Sequence, residues 1–274
     1  MRDTMTPDGK TSDGEIPGVK TPGVKIPGVK IGAVSSVRDD EVARFDGLAA
    51  RWWDPAGPMG PLHAMNPLRC GWIDRRVQAH RAGPARILDI GCGAGLAAEA
   101  LARMGYAVTG LDAAAEAVTV AQAHALDAGL GIDYRVGAAE DLVAEGARFP
   151  VITALEVIEH VADPAIFLRL LATLLEPGGL LFVSTLNRTV RSLAIAKFGA
   201  EYVARLLPIG THDWRRFVPP AELARDGRRA GLALRATAGM GYNPLDSTWR
   251  ETRDLAVNYI AVLERGASPG GRRM

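Results

Sequence analysis

Short apolar runs alternate with helical stretches through the middle of the chain. The runs at residues 86–90, 106–111, 132–136, 151–155 and 180–185 predict strands, and the stretches 95–104, 114–128 and 164–175 predict helices between them. Strand–helix alternation at this spacing is typical of parallel strands joined by crossover helices. The pattern therefore predicts an α/β fold, a doubly wound Rossmann-like sheet.

Further elements flank this sheet on both sides. A helix from residue 40 and another over 68–80 predict an N-terminal helical extension, with a Pro/Gly loop between them. A long insertion, residues 186–216, follows the fifth predicted strand, and then come a helix at 220–230 and strands at 232–237 and 255–262. We expect one domain over residues 38–265 and a flexible tail over 266–274.

Residues 1–37 have a different character. The tetrad Pro-Gly-Val-Lys occurs three times at a five-residue period. Repeated proline and glycine disfavour both a helix and a packed strand, and three short copies are too few for a solenoid. The pattern predicts a disordered tail, and we assign no chemistry to it.

Composition narrows the class of protein further. The 274 residues carry 32 Lys and Arg against 31 Asp and Glu, a net charge of +1, whereas a nucleic-acid binder usually has a basic surplus. The two cysteines cannot form a disulfide framework and favour a reducing compartment. Neither a secretory signal nor an apolar run of roughly 18–20 residues is found. We expect a cytoplasmic protein that does not bind nucleic acid.

The segment I-L-D-I-G-C-G-A-G, residues 87–95, places glycines at a predicted strand-to-helix turn, where backbone can approach a ligand closely. Asp112 ends the next predicted strand, where a carboxylate can accept both hydroxyls of a ribose. Residues 93–98 also match the G-x-G-x-x-A pattern of a dinucleotide site. However, Asp89 would repel a pyrophosphate and can pair with an ammonium group. The segment therefore favours S-adenosylmethionine (SAM) over a dinucleotide.

This glycine segment resembles the first motif of class I SAM-dependent methyltransferases. A wider match, from about residue 40 to residue 260, resembles the ubiquinone O-methyltransferases. The segments that carry it are R-W-W-D (51–54), N-P-L-R (66–69), E-V-I-E-H (156–160), S-T-L-N-R (184–188), G-T-H-D (210–213) and Y-N-P (242–244). Many methyltransferases share the glycine motif, whereas N-P-L-R, S-T-L-N-R and G-T-H-D together are far more specific.

The cofactor site follows from the glycine motif and this resemblance. Arg69 would pair with the cofactor carboxylate. By analogy with the wider superfamily, Glu140 would lie near the adenine at the end of the third strand, with a place in a surface loop as the open alternative. Leu155 stands where several relatives have Met, and it would contact the adenine through its side chain or backbone. The predicted cofactor-binding residues are Arg69, Asp89, Gly91, Gly93, Asp112, Glu140 and Leu155.

Glu156, Glu159 and His160 follow the fourth predicted strand and share one face if the segment turns helically. A phenol, with a pKa of about 10, attacks poorly until it is deprotonated, so these three residues are the predicted catalytic group. Eukaryotic relatives hold Mg²⁺ at the E-x-x-E-H positions, so the resemblance implies that all three are metal ligands. Because imidazole is a poorer ligand for Mg²⁺ than carboxylate, His160 as a base without a metal stays open, as does a structural role.

The insertion suggests contact with a membrane. Residues 187–214 carry apolar side chains at helical spacing with basic residues nearby, which is typical of a helix that lies on a bilayer surface. An ordinary lid is the alternative. Since a polyprenyl substrate resides in the membrane, we expect peripheral association with its inner face, and the resemblance allows a complex with other ubiquinone-biosynthesis proteins.

These observations predict a SAM-dependent O-methyltransferase of ubiquinone biosynthesis. The resemblance implies two substrates, a 2-polyprenyl-6-hydroxyphenol and 3-demethylubiquinol, because the family performs both O-methylations of that pathway. Three alternatives stay open: a methyltransferase of the same fold for another acceptor, an NAD-type oxidoreductase, and a non-catalytic membrane module that senses SAM.

Overall fold

The structure is a computed structural model, and it describes residues 25–26, 29–30, 35–81, 83, 85–194, 214–243, 245–246 and 248–267. Most of both predicted tails and residues 195–213 of the predicted insertion lie outside these ranges. In the repeat region, Lys25–Ile26 pairs antiparallel with Val29–Lys30. This two-residue pairing is all the regular structure that is described there.

One eight-stranded sheet organises the described chain. The strands are β1 Arg86–Ile90, β2 Ala107–Asp112, β3 Asp133–Val136, β4 Phe149–Leu155, β5 Leu175–Leu186, β6 Leu232–Asn243, β7 Thr248–Thr252 and β8 Asn258–Arg265. Their order in the sheet is β3-β2-β1-β4-β5-β8-β6-β7; β1 to β5 are parallel, and β8 pairs antiparallel with both β5 and β6. The strand order reverses between β1 and β4, and ligands of open α/β sheets bind at such a reversal.

Helices cover both faces of the sheet. Alternate strand residues enter different cores: Ile87 packs with α2, α3 and α4, whereas Leu88 packs with α5, α6 and α7. The helices are α1 Asp39–Asp46, α2 Gly60–His80, α3 Leu96–Arg103, α4 Ala115–Asp127, α5 Ala139–Ala144, α6 Pro164–Leu174 and α7 Pro220–Arg229. The predicted doubly wound α/β fold with a helical N-terminal extension is confirmed.

The bounds of several elements differ from the prediction. Helix α2 begins at Gly60 rather than at residue 68, because Pro61 occupies the first turn, where an N–H is not needed. Strand β5 begins at Leu175 rather than at residue 180. The Pro-Gly-Gly segment lies within β5, where Gly178 has a φ of 77° and the register with β4 shifts.

The C-terminal strands also depart from the prediction. β6 continues to Asn243, β8 covers Asn258–Arg265 rather than 255–262, and neither β7 nor the short helix α5 was predicted. β7 is an edge strand with mostly exposed side chains, so it lacks the alternation that marks a half-buried strand. Glu251 on β7 accepts hydrogen bonds from Trp72 Nε1 (3.2 Å) and Arg75 Nη2 (3.0 Å), which ties this edge to α2.

None of the helices in the described ranges combines the length and apolar character needed to cross a bilayer.

Candidate active site

The glycine loop after β1 adopts a conformation that side chains disfavour. Gly91, Gly93 and Gly95 have φ values of 68°, 52° and 91°. A Cβ at Gly91 would lie 2.4 Å from Val157 Cγ2, and one at Gly93 would lie 2.2 Å from the ring of Trp52. The loop therefore needs glycine both for its backbone angles and for close packing at the carboxyl end of β1.

Asp112 ends β2 beside this loop, as the sequence predicts. Its Oδ2 accepts a hydrogen bond from Gly93 N (2.7 Å), and its Oδ1 accepts one from Ala114 N (2.9 Å). Burial raises the pKa of Asp112, while the backbone hydrogen bonds act in the opposite direction. These contacts fix the carboxylate beside the glycine loop at the carboxyl ends of β1 and β2.

Asp89 and Arg69 are two buried charged residues near the same loop, with exposures of 2% and 3%. Asp89 Oδ1 accepts a hydrogen bond from Thr153 Oγ1 (2.6 Å), and Arg69 Nε donates one to Asn66 Oδ1 (3.1 Å). Within the described structure, the other carboxylate oxygen of Asp89 and the Nη1 of Arg69 are buried without a hydrogen-bond partner. Buried polar atoms are costly when they lack hydrogen bonds, so these two atoms point to a ligand that offers a donor to Asp89 and an acceptor to Arg69.

Burial also raises the pKa of Asp89 to about 6, against the opposing effects of its Thr153 hydrogen bond and the charge of Arg69. Asp89 is therefore partly protonated in weak acid and ionised near neutral pH. An ammonium group bound at its free oxygen would favour the ionised form.

Glu156 has a strained backbone at the end of β4. It is the only described residue other than glycine with a positive φ, at 57°. Glu156 N donates a hydrogen bond to Ser184 O (3.0 Å), and Ser184 Oγ donates one to Glu156 Oε1 (2.6 Å). The turn therefore brings the Glu156 carboxylate back against β5 instead of letting it extend into solvent.

Glu159 is buried behind Glu156. Its exposure is 4%, and its Oε2 accepts a hydrogen bond from Thr185 Oγ1 (2.9 Å). Burial, followed by the charge of Glu156, raises the pKa of Glu159 to about 7. The two carboxylates thus repel one another in a poorly solvated place, and a cation or a shared proton would relieve that repulsion.

His160 faces the N-terminal extension. Its Nδ1 lies 3.3 Å from Glu41 Oε2 on α1, and its ring meets the Phe45 ring edge to face at 5.4 Å. Burial works to raise the pKa of Glu41, but the contact with His160 and the charges of His160 and Arg44 outweigh it, so this pKa is lowered. Glu41 is not among the site residues predicted from the sequence, because an acid in the first turn of a helix is ordinarily explained by the helix dipole.

The predicted three-ligand metal site is not supported. Glu156, Glu159 and His160 have different neighbours, and His160 contacts Glu41 instead of joining the two glutamates. Among the residues described, no group of three or more His, Cys, Asp and Glu side chains is arranged to hold a metal ion. The two carboxylates suit a hard cation, whereas His160 does not belong to the same set.

Two other predicted cofactor residues have contrasting surroundings. Leu155 is 8% exposed and ends β4 next to the cleft, so it offers the predicted apolar surface. Glu140 is already engaged: Ser36 donates to its carboxylate from N (2.7 Å, to Oε1) and from Oγ (2.9 Å, to Oε2). Both oxygens of Glu140 therefore bind the N-terminal segment, a partner that no local pattern reveals.

Comparisons with known proteins identify the fold and the family of this chain. The family described as "Methyltransferase domain" matches residues 62–237. The structure is similar to that of magnesium protoporphyrin IX methyltransferase from Synechocystis PCC 6803 with bound S-adenosylhomocysteine (SAH). The TM-score is 0.59 and the identity 19%, over 83% of this chain and 100% of that one, which shows the fold. The fold and the family define a class I methyltransferase.

More similar relatives narrow the class. The chain is 49% identical to the ubiquinone biosynthesis O-methyltransferase of Parvibaculum lavamentivorans, over 85% of this chain and 96% of that protein. It is also 49% identical to the protein of the same name from Azorhizobium caulinodans, over 84% and 94%. The chain belongs to the ubiquinone biosynthesis O-methyltransferase family, and the prediction of a SAM-dependent O-methyltransferase is confirmed.

Proposed function

We propose that this protein transfers the methyl group of SAM to a phenolic oxygen of prenylated intermediates in ubiquinone biosynthesis. The substrates would be a 2-polyprenyl-6-hydroxyphenol and 3-demethylubiquinol. The observation that carries the donor half of the proposal is the pair of buried, partnerless atoms on Asp89 and Arg69. The names of the relatives support the acceptor half.

The residues present fit SAM. The amino-acid end of SAM is a zwitterion, so its ammonium group suits Asp89 Oδ2 and its carboxylate suits Arg69 Nη1, the two atoms left without partners. The ribose would bind Asp112, which lies beside the glycine loop and accepts a hydrogen bond from Gly93 N. A dinucleotide fits less well, because its pyrophosphate would face the buried Asp89 carboxylate. SAM, when bound, supplies an electrophilic methyl group on a sulfonium.

On the acceptor side, we assign His160 as the general base. Its Nε2 would take the phenol proton, and the nearby Glu41 carboxylate would stabilise the resulting imidazolium. Glu156 and Glu159 would line the acceptor site and orient the substrate oxygens. We further propose that these two carboxylates hold a divalent cation, because a cation would relieve their mutual repulsion. Such a cation would stabilise a phenolate oxygen beside them.

Contact with a membrane is also part of the proposal. Three large apolar side chains with high exposure lie at or beyond the carboxyl ends of β5 and β6, the end of the sheet that bears the site: Val190 (80%), Tyr242 (50%) and Leu245 (95%). Val190 lies in the described part of the insertion, and the other two lie at the β6–β7 hairpin. We infer that this end of the sheet rests on the bilayer in which a polyprenyl chain is dissolved.

Radiolabelled methyl transfer from SAM to a short-prenyl catechol tests the proposal directly. We expect turnover by the parent protein, and we expect a chelator to reduce that turnover without changing SAH affinity measured by calorimetry. Full activity in excess chelator would refute the proposed cation and leave deprotonation to His160 alone. Absence of transfer to prenyl catechols, with SAH still bound, would contradict the acceptor assignment and favour a methyltransferase for another acceptor.

A further inference from the structure

One continuous N-terminal segment, residues 35–53, contacts the loops that follow each of the first four strands. We call this segment the strap. It consists of an extended stretch, helix α1 and the turn that contains the 3₁₀ helix Ala49–Arg51. The loops it contacts are the same ones that carry the proposed donor-binding residues, so the strap spans the donor site from one side to the other.

The C-terminal end of the strap packs on the glycine loop. The Trp52 ring fills the space beside Gly93, where an added Cβ would lie 2.2 Å from it. Trp53 Nε1 donates a hydrogen bond to Ala94 O (3.0 Å). The loop after β1 is therefore held between the strap and the sheet.

The middle of the strap covers the loop after β2. Asp46, the last residue of α1, accepts a hydrogen bond at Oδ1 from Glu116 N (3.0 Å) in the first turn of α4. Ala49 is buried against Ala114 and Ala117. This contact lies directly after Asp112, the proposed ribose ligand.

The beginning of the strap is fastened at two further loops. Ser36 gives both its N–H and its hydroxyl to the Glu140 carboxylate after β3, at 2.7 and 2.9 Å. Ser36 O accepts a hydrogen bond from Ala162 N (3.0 Å), and Glu41 contacts His160, both in the segment after β4. Ser36 is 4% exposed, so this attachment is a buried, charge-assisted one.

We propose that Glu140 is a positioning residue that acts through Ser36, fastening the strap over the donor site and thereby setting how fast SAM enters and SAH leaves. The inference rests on the donor site proposed above. It gives the Glu140 carboxylate a partner within the protein, Ser36, in place of the predicted direct contact with adenine.

A fastening of this kind has a distinct signature. The hydrogen bonds between Ser36 and Glu140 lie within the protein and form whether or not SAM is bound. A group that interacts equally in the free and bound states cannot shift the binding equilibrium. Loosening the attachment should therefore accelerate association and dissociation together and leave the equilibrium constant nearly unchanged.

Stopped-flow measurement of SAH binding, followed by the fluorescence of the strap tryptophans Trp52 and Trp53, tests this inference. In Glu140→Ala, and to a smaller extent in Ser36→Ala, we expect both rate constants to rise, by about tenfold in the first variant. The dissociation constant should stay within about twofold of the parent. The double variant should add nothing to Glu140→Ala, because the two residues act through one another.

The matched control is Glu145→Ala, at the other end of α5, where the exposed carboxylate pairs with Arg135 instead of the strap. It should leave both rate constants unchanged. A rise in the dissociation constant of Glu140→Ala at unchanged association rate would overturn the inference and restore a direct ligand contact. Unchanged rates in both variants would also overturn the inference. Failure of the parent to bind SAH would instead refute the donor site itself.

Discussion

The donor half of the site and its acceptor half are built in different ways. The donor half is formed by Arg69 and the loops after β1 and β2, and the spacing of the glycine motif and the next strand places Gly91, Gly93 and Asp112 side by side. The acceptor half, formed by residues 156–160, the insertion and the β6–β7 hairpin, depends on contacts between distant segments. If the two halves act independently, a substitution in one half should leave the function of the other unchanged.

The largest effect that separates the two halves is expected at His160. His160→Ala should lower turnover by about a hundredfold or more, the usual contribution of a general base. SAH affinity should be unchanged, because the donor half does not use this side chain. Turnover with a prenyl catechol, measured beside SAH calorimetry, checks both statements. A variant that loses SAH affinity to the same degree would show that the halves are not separable.

The opposite pattern is expected at Asp89. Asp89→Asn keeps the shape and removes the charge that would pair with the donor ammonium, so SAH should bind about 30-fold more weakly, equivalent to about 2 kcal/mol. Calorimetry measures this, and Asp127→Asn at the exposed end of α4 serves as the control. Equal affinities for parent and Asp89→Asn would remove Asp89 from the donor site.

The affinity for SAH should also depend on pH, with a smaller change than in Asp89→Asn. Because the pKa of Asp89 is raised to about 6, its carboxylate is mostly ionised at pH 7 and mostly protonated at pH 5. The ammonium group pairs with the ionised form, so SAH affinity should rise with pH through this window, by about tenfold between pH 5 and pH 7. In Asp89→Asn this dependence should disappear. A slope that persists in the variant would assign the titration to another group.

The smallest effect is expected at the hairpin. Leu245→Glu should weaken binding to vesicles that contain phosphatidylglycerol by about fivefold, near 1 kcal/mol, because a carboxylate replaces an apolar contact with the bilayer. Leu126→Glu is the matched control. Leu126 is 79% exposed, but it lies near the end of α4, at the end of the sheet opposite the proposed site. Flotation assays that show equal losses for both variants would refute docking through the end of the sheet that bears the site.

The same division explains how much the sequence could predict. Gly91, Gly93 and Asp112 follow from local spacing, since a strand, a turn and the next strand place them side by side. The partners of Glu140 and His160 could not be predicted, because Ser36 and Glu41 lie more than a hundred positions away and contact them only after the chain folds back. Strand β7 could not be predicted either, because its mostly exposed side chains show no alternation of apolar and polar residues.

That edge strand has a consequence for the behaviour of the protein at high concentration. An uncovered edge strand presents free backbone groups to other molecules and favours edge-to-edge sheet growth. Here β7 carries Arg250 and Glu251, charged residues of the kind that disfavour such pairing, and Glu251 is also bound by Trp72 and Arg75 of α2. Loss of these charges and contacts would favour self-association of the protein without changing the residues of the proposed active site.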